Sequence, residues 1–151
     1  GKSTIADLLL RMYNVSSGKI LIDGIEIQNL KLGSLRRQIG FVPQDVFLFS
    51  ETITENISFG LNASDKETAQ RFAKYASIHS EIENFANSYE TIVGERGVTL
   101  SGGQKQRISI ARALVKQPNV LVLDDSLSAV DTATEKQIQQ NLENERNNQI
   151  Q

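Results

Sequence analysis

Apolar and polar positions alternate along this chain with two spacings, one helical and one strand-like. In the segment 5–12 the apolar residues stand at i, i+3, i+4 and i+7, which predicts an amphipathic helix. Asp23-Gly24 separates two short β-branched runs, and this pattern is a strong signal for a hairpin. The apolar runs at 39–42 and 119–123 predict two further strands.

Helices are predicted between and after these strands. A short helix is expected over 35–38, and residues 64–87 predict two more. Ser101 stands where the N-cap of another helix is expected, one that lasts to about residue 117 before Pro118. A last, polar helix is predicted over 132–142, with a tail that frays. The alternation implies an α/β fold with a mostly parallel sheet.

The composition is that of an ordinary globular domain, with 39% hydrophobic and 23% charged residues among 151. A net charge of -2 gives no electrostatic reason to expect nucleic acid as a partner. Cysteine is absent, which excludes disulfides and thiolate metal sites. No apolar run approaches the roughly 20 residues that a membrane span requires.

Gly1-Lys2-Ser3-Thr4 opens the first predicted helix and fits the end of a phosphate-binding loop. In such loops backbone N–H groups hold the phosphates, Lys reaches the β- and γ-phosphates, and the Ser/Thr hydroxyl holds Mg²⁺. The complete motif has a further glycine five residues earlier, and this chain begins after that position. The tetrapeptide alone fits a turn before a helix equally well.

The apolar strand at 120–123 is followed by Asp124. An apolar strand that ends in Asp is what P-loop enzymes use to hold Mg²⁺ from the side opposite the phosphate loop. A buried strand with a polar residue at its exit is the plainer alternative. Ligands collect at the carboxyl ends of parallel strands, so the two motifs together favour a P-loop nucleotide hydrolase.

The run Leu100-Ser101-Gly102-Gly103-Gln104 decides between these alternatives. Glycines inside a helix cost about 1 kcal/mol each relative to Ala, and they make sense where something approaches the backbone closely. Ser101 and the free N–H groups at the helix start would form a second anion site. A capped glycine-rich loop explains Ser101, but it does not explain two glycines and a glutamine in sequence.

This run, some 20 residues before Asp124, resembles the signature motif of ATP-binding cassette (ABC) ATPases. The resemblance covers nearly the whole chain and implies a P-loop (RecA-like) α/β domain with an antiparallel β edge. Residues 1–46 and 101–151 would form its core, and about 47–100 a helical subdomain with the X-loop. It also implies truncation at both ends, inside Walker A and before the last motif, so this fragment alone is expected neither to fold fully nor to hydrolyse ATP.

By the same resemblance the ligands are ATP and Mg²⁺. Gln44 of the Q-loop and Asp125 would be catalytic, and Ser3, Gln44 and Asp124 would hold the metal. The expected ATP-binding residues are Gly1, Lys2, Ser3, Thr4, Gln44, Asp124, Ser101, Gly102, Gly103 and Gln104.

In this family two nucleotide-binding domains pair head to tail, so each ATP lies between the phosphate loop of one and the signature of the other. Asp131 of the D-loop would lie at that interface. Glu95 and Arg96 match the X-loop of exporters, whose charged side chains face intracellular loops of the membrane domain. The expected location is the cytoplasmic face of the cell membrane, as part of an export transporter.

Asp125 departs from the family pattern, which usually has Glu at this position. The shorter side chain withdraws the carboxylate, and a 1 Å misplacement can cost on the order of 10²-fold in rate. The segment 122–131 resembles the Asp-bearing half of heterodimeric exporters, which hydrolyses its own ATP poorly.

Three other readings stay open: an importer ATPase subunit, a soluble ABC ATPase, and a regulatory half without turnover. The short distance from Gln44 to Ser101 argues against soluble repair ATPases, which carry long insertions there. The X-loop argues against importers. His79, the only histidine, is expected to be an exposed helix residue.

Overall fold

The computed structural model describes residues 2–94 and 98–149. Its α-helices are α1 Lys2–Leu9, α2 Leu32–Gln38, α3 Ile53–Ile57, α4 Lys66–Tyr75, α5 His79–Glu83, α6 Gly102–Leu114 and α7 Thr132–Gln149. Its strands are β1 Leu21–Ile22, β2 Ile25–Glu26, β3 Ile39–Val42 and β4 Val120–Leu123. Single 3-10 turns lie at Ile27–Asn29 and Ser88–Glu90.

The strands form two separate pairs. β3 and β4 run parallel, with Val42 opposite Leu123, although almost eighty residues separate them in the chain. β1 and β2 are antiparallel and are joined by Asp23 and Gly24, whose φ angles of 51° and 78° are those of a type I′ turn. The predicted hairpin, parallel strands and α/β class are thus confirmed.

The main hydrophobic core surrounds α6, which packs against β3, α3 and α4. Ile108 and Ile110 of α6 and Tyr89 are fully buried there. A smaller cluster of Ile27, Leu35 and Ile39 lies under the hairpin. The main core therefore holds both the carboxyl end of β3 and helix α6 in one packed unit.

Several boundaries differ from the predictions. α1 ends at Leu9, and Ile5 and Met12 are 63% and 58% exposed, so the predicted apolar stripe is only partly buried in the structure. α6 ends at Leu114, because Gln117 adopts a φ of 48° that a helix does not accept.

Two helices exceed what the hydrophobic pattern predicts. α3 is five residues long: Thr52 and Glu55 make a capping box at its start, and Ile53 and Ile57, one turn apart, are fully buried in the main core. α7 continues to Gln149, where the prediction was a fraying tail. Gln and Glu favour helices, which fits the longer helix, and an i, i+4 contact of Gln137 with Asn141 at 3.0 Å lies within its predicted part.

Within residues 2–94 and 98–149, the helices are all too short or too polar to cross a bilayer.

Candidate functional site

The carboxyl ends of β3 and β4 carry two of the predicted site residues. The backbone N–H of Asp124 donates to the carbonyl of Val42 at 3.0 Å, which extends the parallel ladder one residue beyond the strands. Gln44 follows Val42 by two residues and is exposed, whereas Asp124 is half-buried. Parallel sheets bind ligands at this edge, so Gln44 and Asp124 present an amide and a carboxylate where a ligand would lie.

Asp125 begins a tight turn immediately after this edge. It is exposed and has a φ of 52°, a left-handed conformation that Asp tolerates better than most residues. Its carbonyl oxygen accepts hydrogen bonds from the Ser128 amide at 3.3 Å and the Ser128 hydroxyl at 2.9 Å. The backbone of Asp125 is therefore fixed by the turn, while its carboxylate faces a region open to solvent.

The start of α6 is built as the sequence predicts. Ser101 is the N-cap: its hydroxyl accepts from the Gln104 amide at 3.2 Å, and its own amide donates to Gln104 Oε1 at 2.9 Å. Ser101 and Gly102 are exposed, so the first N–H groups of a 13-residue helix lie at the surface. Such an end attracts anions through its N–H groups and the helix dipole.

The start of α6 also touches the segment that follows Asp125. The Ala129 amide donates to Gln106 Oε1 at 3.2 Å, and a methyl group on Gly103 would come within 2.7 Å of the Ala129 carbonyl. Gly103 is thus required for close approach of two backbones, whereas Gly102 has ordinary space. The start of α6 and the segment 128–131, which the resemblance assigns to the D-loop, are thus in direct contact within one chain.

Asp131 caps the helix after this segment. Its Oδ1 accepts from the amides of Ala133 and Thr134 at 3.1 and 3.0 Å. Hydrogen bonds from Thr134 hold the pKa of the Asp131 carboxyl below its ordinary value. Asp131 is exposed and ionised at neutral pH, at the surface where a second domain is expected.

A family model described as ABC transporter matches residues 1–128. This chain belongs to the ABC transporter family. A Bacillus subtilis protein whose name contains the words multidrug export ATP-binding/permease protein is 53% identical over 140 residues, 93% of this chain and 24% of that protein. The heavy metal tolerance protein of Schizosaccharomyces pombe is 50% identical over 139 residues, 92% of this chain and 17% of its own length.

The solved structures give the same answer for the fold. A bacterial Atm1-family ABC exporter with ATP bound superposes with a TM-score of 0.89 and 46% identity, over 95% of this chain and 25% of that one. This ABC domain thus has the ABC ATPase fold, and its homologues are exporters. The chain spans about a quarter or less of the length of these relatives.

The other predicted site residues either lie in α1, apart from the ends of β3 and β4, or fall outside the described residues. Ser3 and Thr4 occupy the first turn of α1 and are exposed. Within the described residues, Ser3 makes no hydrogen bond to Gln44 or Asp124. The predictions for Gly1, Glu95 and Arg96, and for the side chain of Lys2, fall outside what the structure describes.

A surface groove of about 330 Å³ in this ABC domain is lined in part by Val93, Gly94 and Val98, which flank the predicted X-loop in sequence. Its lining includes Phe47, Leu48, Val93, Val98, Leu100 and Lys105. The ring centre of Phe49 lies 5.2 Å from that of Phe47 and 4.5 Å from that of Phe59, and we name these three residues the aromatic patch. Phe47 and Phe59 are 68% and 51% exposed, which is unusual for side chains of this size.

Arg112 of α6 supports the aromatic patch from below. Its guanidinium lies 5.4 Å from the Phe49 ring centre, and it donates to the carbonyls of Phe47 and Asn56 at 2.9 and 2.8 Å. Burial lowers the pKa of Arg112 without neutralising it. One helix therefore carries the Ser101 end and also anchors the aromatic patch.

Sequence reasoning assigned no contacts to three residues that hold these segments: Glu81, Gln106 and Ala129. Gln106 could have been found, because it lies three residues after Gly103 and so on the same face of α6. Glu81 had no local signal, since its partners lie more than twenty residues away.

His79 was wrongly expected to be exposed. Its side chain is 23% exposed, and its Nδ1 lies 2.8 Å from the Tyr89 hydroxyl.

Proposed function

We propose that this chain binds and hydrolyses ATP to drive export across a membrane, as the nucleotide-binding domain of an ABC exporter. Two observations carry the proposal: the segments bearing Gln44 and Asp124 leave the parallel strands at the same edge, and a separate helix start at Ser101 exposes its first N–H groups. Its relatives are exporters, which favours export over the importer and soluble readings.

The donor set fits Mg²⁺. Asp124 supplies a carboxylate and Gln44 an amide oxygen at one sheet edge, and hard oxygen ligands are what this cation prefers. Ser3 would add a hydroxyl from α1. Bound Mg²⁺ would neutralise phosphate charge, which is most of what phosphoryl transfer requires.

The chain's own residues would then position the reactants. Lys2, Ser3 and Thr4, with the Gly1 amide, would hold the phosphates. Gln44 and the Asp125 carboxylate would accept hydrogen bonds from the attacking water and orient it toward the γ-phosphoryl group. The protein's contribution is orientation and electrostatic stabilisation, and the terminal phosphate leaves ADP as water adds.

The start of α6 would serve a second ATP, held by a second nucleotide-binding domain. Ser101, Gly102, Gly103 and Gln104 lie at an exposed helix end with free N–H groups, which suits the phosphates of a nucleotide bound to the partner. The exposed Asp131 would lie at the same head-to-tail interface. The two half-sites of one chain then belong to different ATP molecules.

Asp125 supports a heterodimer in which this chain is the slow half. Its carboxylate is one methylene shorter than that of Glu, and its backbone is fixed by the turn to Ser128. This domain would therefore hold ATP stably and lend Ser101 to the partner's faster site.

The aromatic patch and the groove beside it would receive the membrane domain. Exposed aromatic side chains around a groove are the usual mark of an interaction surface. Glu95 and Arg96 stand next to this groove in sequence and would add charged contacts with the intracellular loops. This arrangement places the domain on the cytoplasmic face of the membrane.

The same proposal extends to domain organisation, with 1–46 and 101–151 as core and about 47–100 as helical subdomain. It is supported by the placement of α3, α4 and α5 between Phe47 and Leu100, while β1 to β4 all lie outside that segment.

The test of the proposed function uses Asp125→Glu in the complete transporter polypeptide that carries this domain, which we call the full chain. It is assembled with a partner domain whose catalytic glutamate is replaced by Gln. ATP turnover should rise about tenfold or more, because the carboxylate regains its reach. Asp125→Asn, which suits the same backbone, is the control and should not raise it. Unchanged turnover in Asp125→Glu would refute the geometric argument.

A further inference from the structure

Glu81 of α5 contacts the first two turns of α6, the helix that begins with the predicted signature, through both carboxylate oxygens. Oε2 accepts from Gln104 Nε2 at 2.9 Å, and Oε1 accepts from an Arg107 guanidinium nitrogen at 2.5 Å. Glu81 stands twenty positions before Ser101 in the chain and belongs to a different helix. This carboxylate therefore joins the helical segment α5 to the first turn of α6.

The contact with Glu81 fixes which way the Gln104 amide points. An ionised carboxylate only accepts hydrogen bonds, so Gln104 must turn Nε2 toward Glu81 and Oε1 toward the Ser101 amide. The latter contact is 2.9 Å long. If the amide were flipped, Gln104 Oε1 would face the Glu81 carboxylate, acceptor against acceptor, and Nε2 would face the Ser101 amide, donor against donor. Both contacts would then be lost.

Arg107 keeps Glu81 in place. Its side chain is 11% exposed and also donates to the carbonyls of Ser77 and Gly103, at 2.8 and 3.2 Å. Partial burial raises the pKa of the Glu81 carboxyl, but hydrogen bonds from Arg107 and Gln104 outweigh it and leave this pKa below its ordinary value. Glu81 is thus held ionised and acceptor-only at neutral pH.

We infer that Glu81 is a positioning residue for the signature half-site, acting through Gln104 to set Ser101 for ATP bound by the partner domain. The inference rests on the proposed function of residues 101–104. Glu81 would not touch the nucleotide. It would decide whether the Ser101 backbone and hydroxyl are already arranged when the partner's ATP arrives.

The experiment measures the KM for ATP and kcat of the full chain assembled with its partner domain. Glu81→Gln cannot accept from both Gln104 and Arg107, because one of its two ends is a donor. We expect the KM for ATP to rise about fivefold to tenfold, with a smaller change in kcat. Glu83→Gln is the matched control, since Glu83 lies on the same helix and faces His79 Nε2 at 3.7 Å.

A conservative variant separates positioning from stability. Glu81→Asp keeps an acceptor-only carboxylate facing Gln104 and Arg107, whereas Glu81→Gln does not. The KM for ATP of Glu81→Asp should therefore lie closer to the wild-type value than that of Glu81→Gln. An equally high KM in both variants, or a KM in Glu81→Gln no higher than in Glu83→Gln, would overturn the inference. If Glu81→Gln does not fold, Glu81→Ala decides, because it removes the acceptor without adding a donor and should also raise the KM.

Gly102→Asp tells this failure from a failure of the proposed function. It places a carboxylate at the signature, where a partner's phosphates would be repelled, and a Cβ at this position meets its nearest atom, Ala129 Cβ, at an ordinary 3.6 Å. If Gly102→Asp leaves turnover intact, the signature role itself is wrong. If Gly102→Asp abolishes turnover while Glu81→Gln behaves as Glu83→Gln, the inference about Glu81 alone is wrong.

Discussion

The backbone amide of Asp124 donates to the carbonyl oxygen of Val42 at 3.0 Å. This bond lies one residue beyond the last paired residues of β3 and β4, so the segments that follow the two strands leave the sheet side by side. Gln44 and Asp124 are far apart in sequence, and this register brings the strand ends that precede them to the same edge of the sheet. The proposed metal site depends on it.

Asp124→Asn tests that site without changing shape. The variant retains an oxygen ligand but loses its charge, so the affinity of this domain for ATP in the presence of Mg²⁺ should fall about tenfold or more. The measurement is photolabelling of the full chain with an azido-ATP analogue across a Mg²⁺ titration. Asp45→Asn, at an exposed carboxylate next to Gln44, should label like the wild type. Equal labelling of Asp124→Asn would rule out a metal-holding role.

The two signature glycines should respond differently to a methyl group. Gly103→Ala brings Cβ within 2.7 Å of the Ala129 carbonyl and should lower stability by about 1–3 kcal/mol. Gly102→Ala meets its nearest atom, Ala129 Cβ, at 3.6 Å and should stay within about 1 kcal/mol of wild type. Thermal unfolding of the full chain compares them, and equal melting temperatures would show that the close approach at Ala129 is not required.

The aromatic patch should cross-link to the membrane domain. A photoreactive benzoylphenylalanine at the 68%-exposed position of Phe47 should label an intracellular loop of the assembled transporter, identified by mass spectrometry. The same probe at Lys136, exposed on α7, serves as the control. Labelling at Phe47 that maps only to nucleotide-binding domains would contradict the proposed docking surface.

Acid should destabilise the domain through its carboxylate caps. Hydrogen bonds from Thr68 hold the pKa of Asp65 below its ordinary value, and those from Thr134 do the same for Asp131. Because the folded-state pKa values are depressed, this stabilisation is complete above the ordinary Asp pKa of about 3.9 and is lost as pH falls through the lower folded values.

Asp65→Asn keeps the cap but cannot titrate. Melting temperatures between neutral pH and about pH 3 should therefore fall less steeply in this variant than in wild type. A parallel decline in both proteins would mean that Asp65 carries none of the acid sensitivity.

The local signals in the sequence were sufficient for the hairpin, for β3 and for the cap of α6. Asp23-Gly24 and Ser101 act through neighbours one to three residues away, so their effect is written in the adjacent sequence. α3 was missed because its apolar pattern is a single pair, Ile53 and Ile57, which is too short to identify a helix, and its capping box lies outside the hydrophobic pattern.

Contacts between distant segments were beyond such reasoning. The pairing of Glu81 with Gln104 and the support of the aromatic patch by Arg112 depend on how helices pack, which no spacing rule encodes. The exposure of Ile5 and Met12 likewise follows from the packing around α1 rather than from their helical spacing.

The most direct test of the account compares ATP turnover of Asp125→Asn and Gly102→Asp in the full chain assembled with its partner domain. If this chain is the slow half that lends its signature, Gly102→Asp should abolish nearly all turnover, while Asp125→Asn should leave most of it. If Asp125→Asn removes as much turnover as Gly102→Asp, this domain hydrolyses its own ATP efficiently and the account is contradicted.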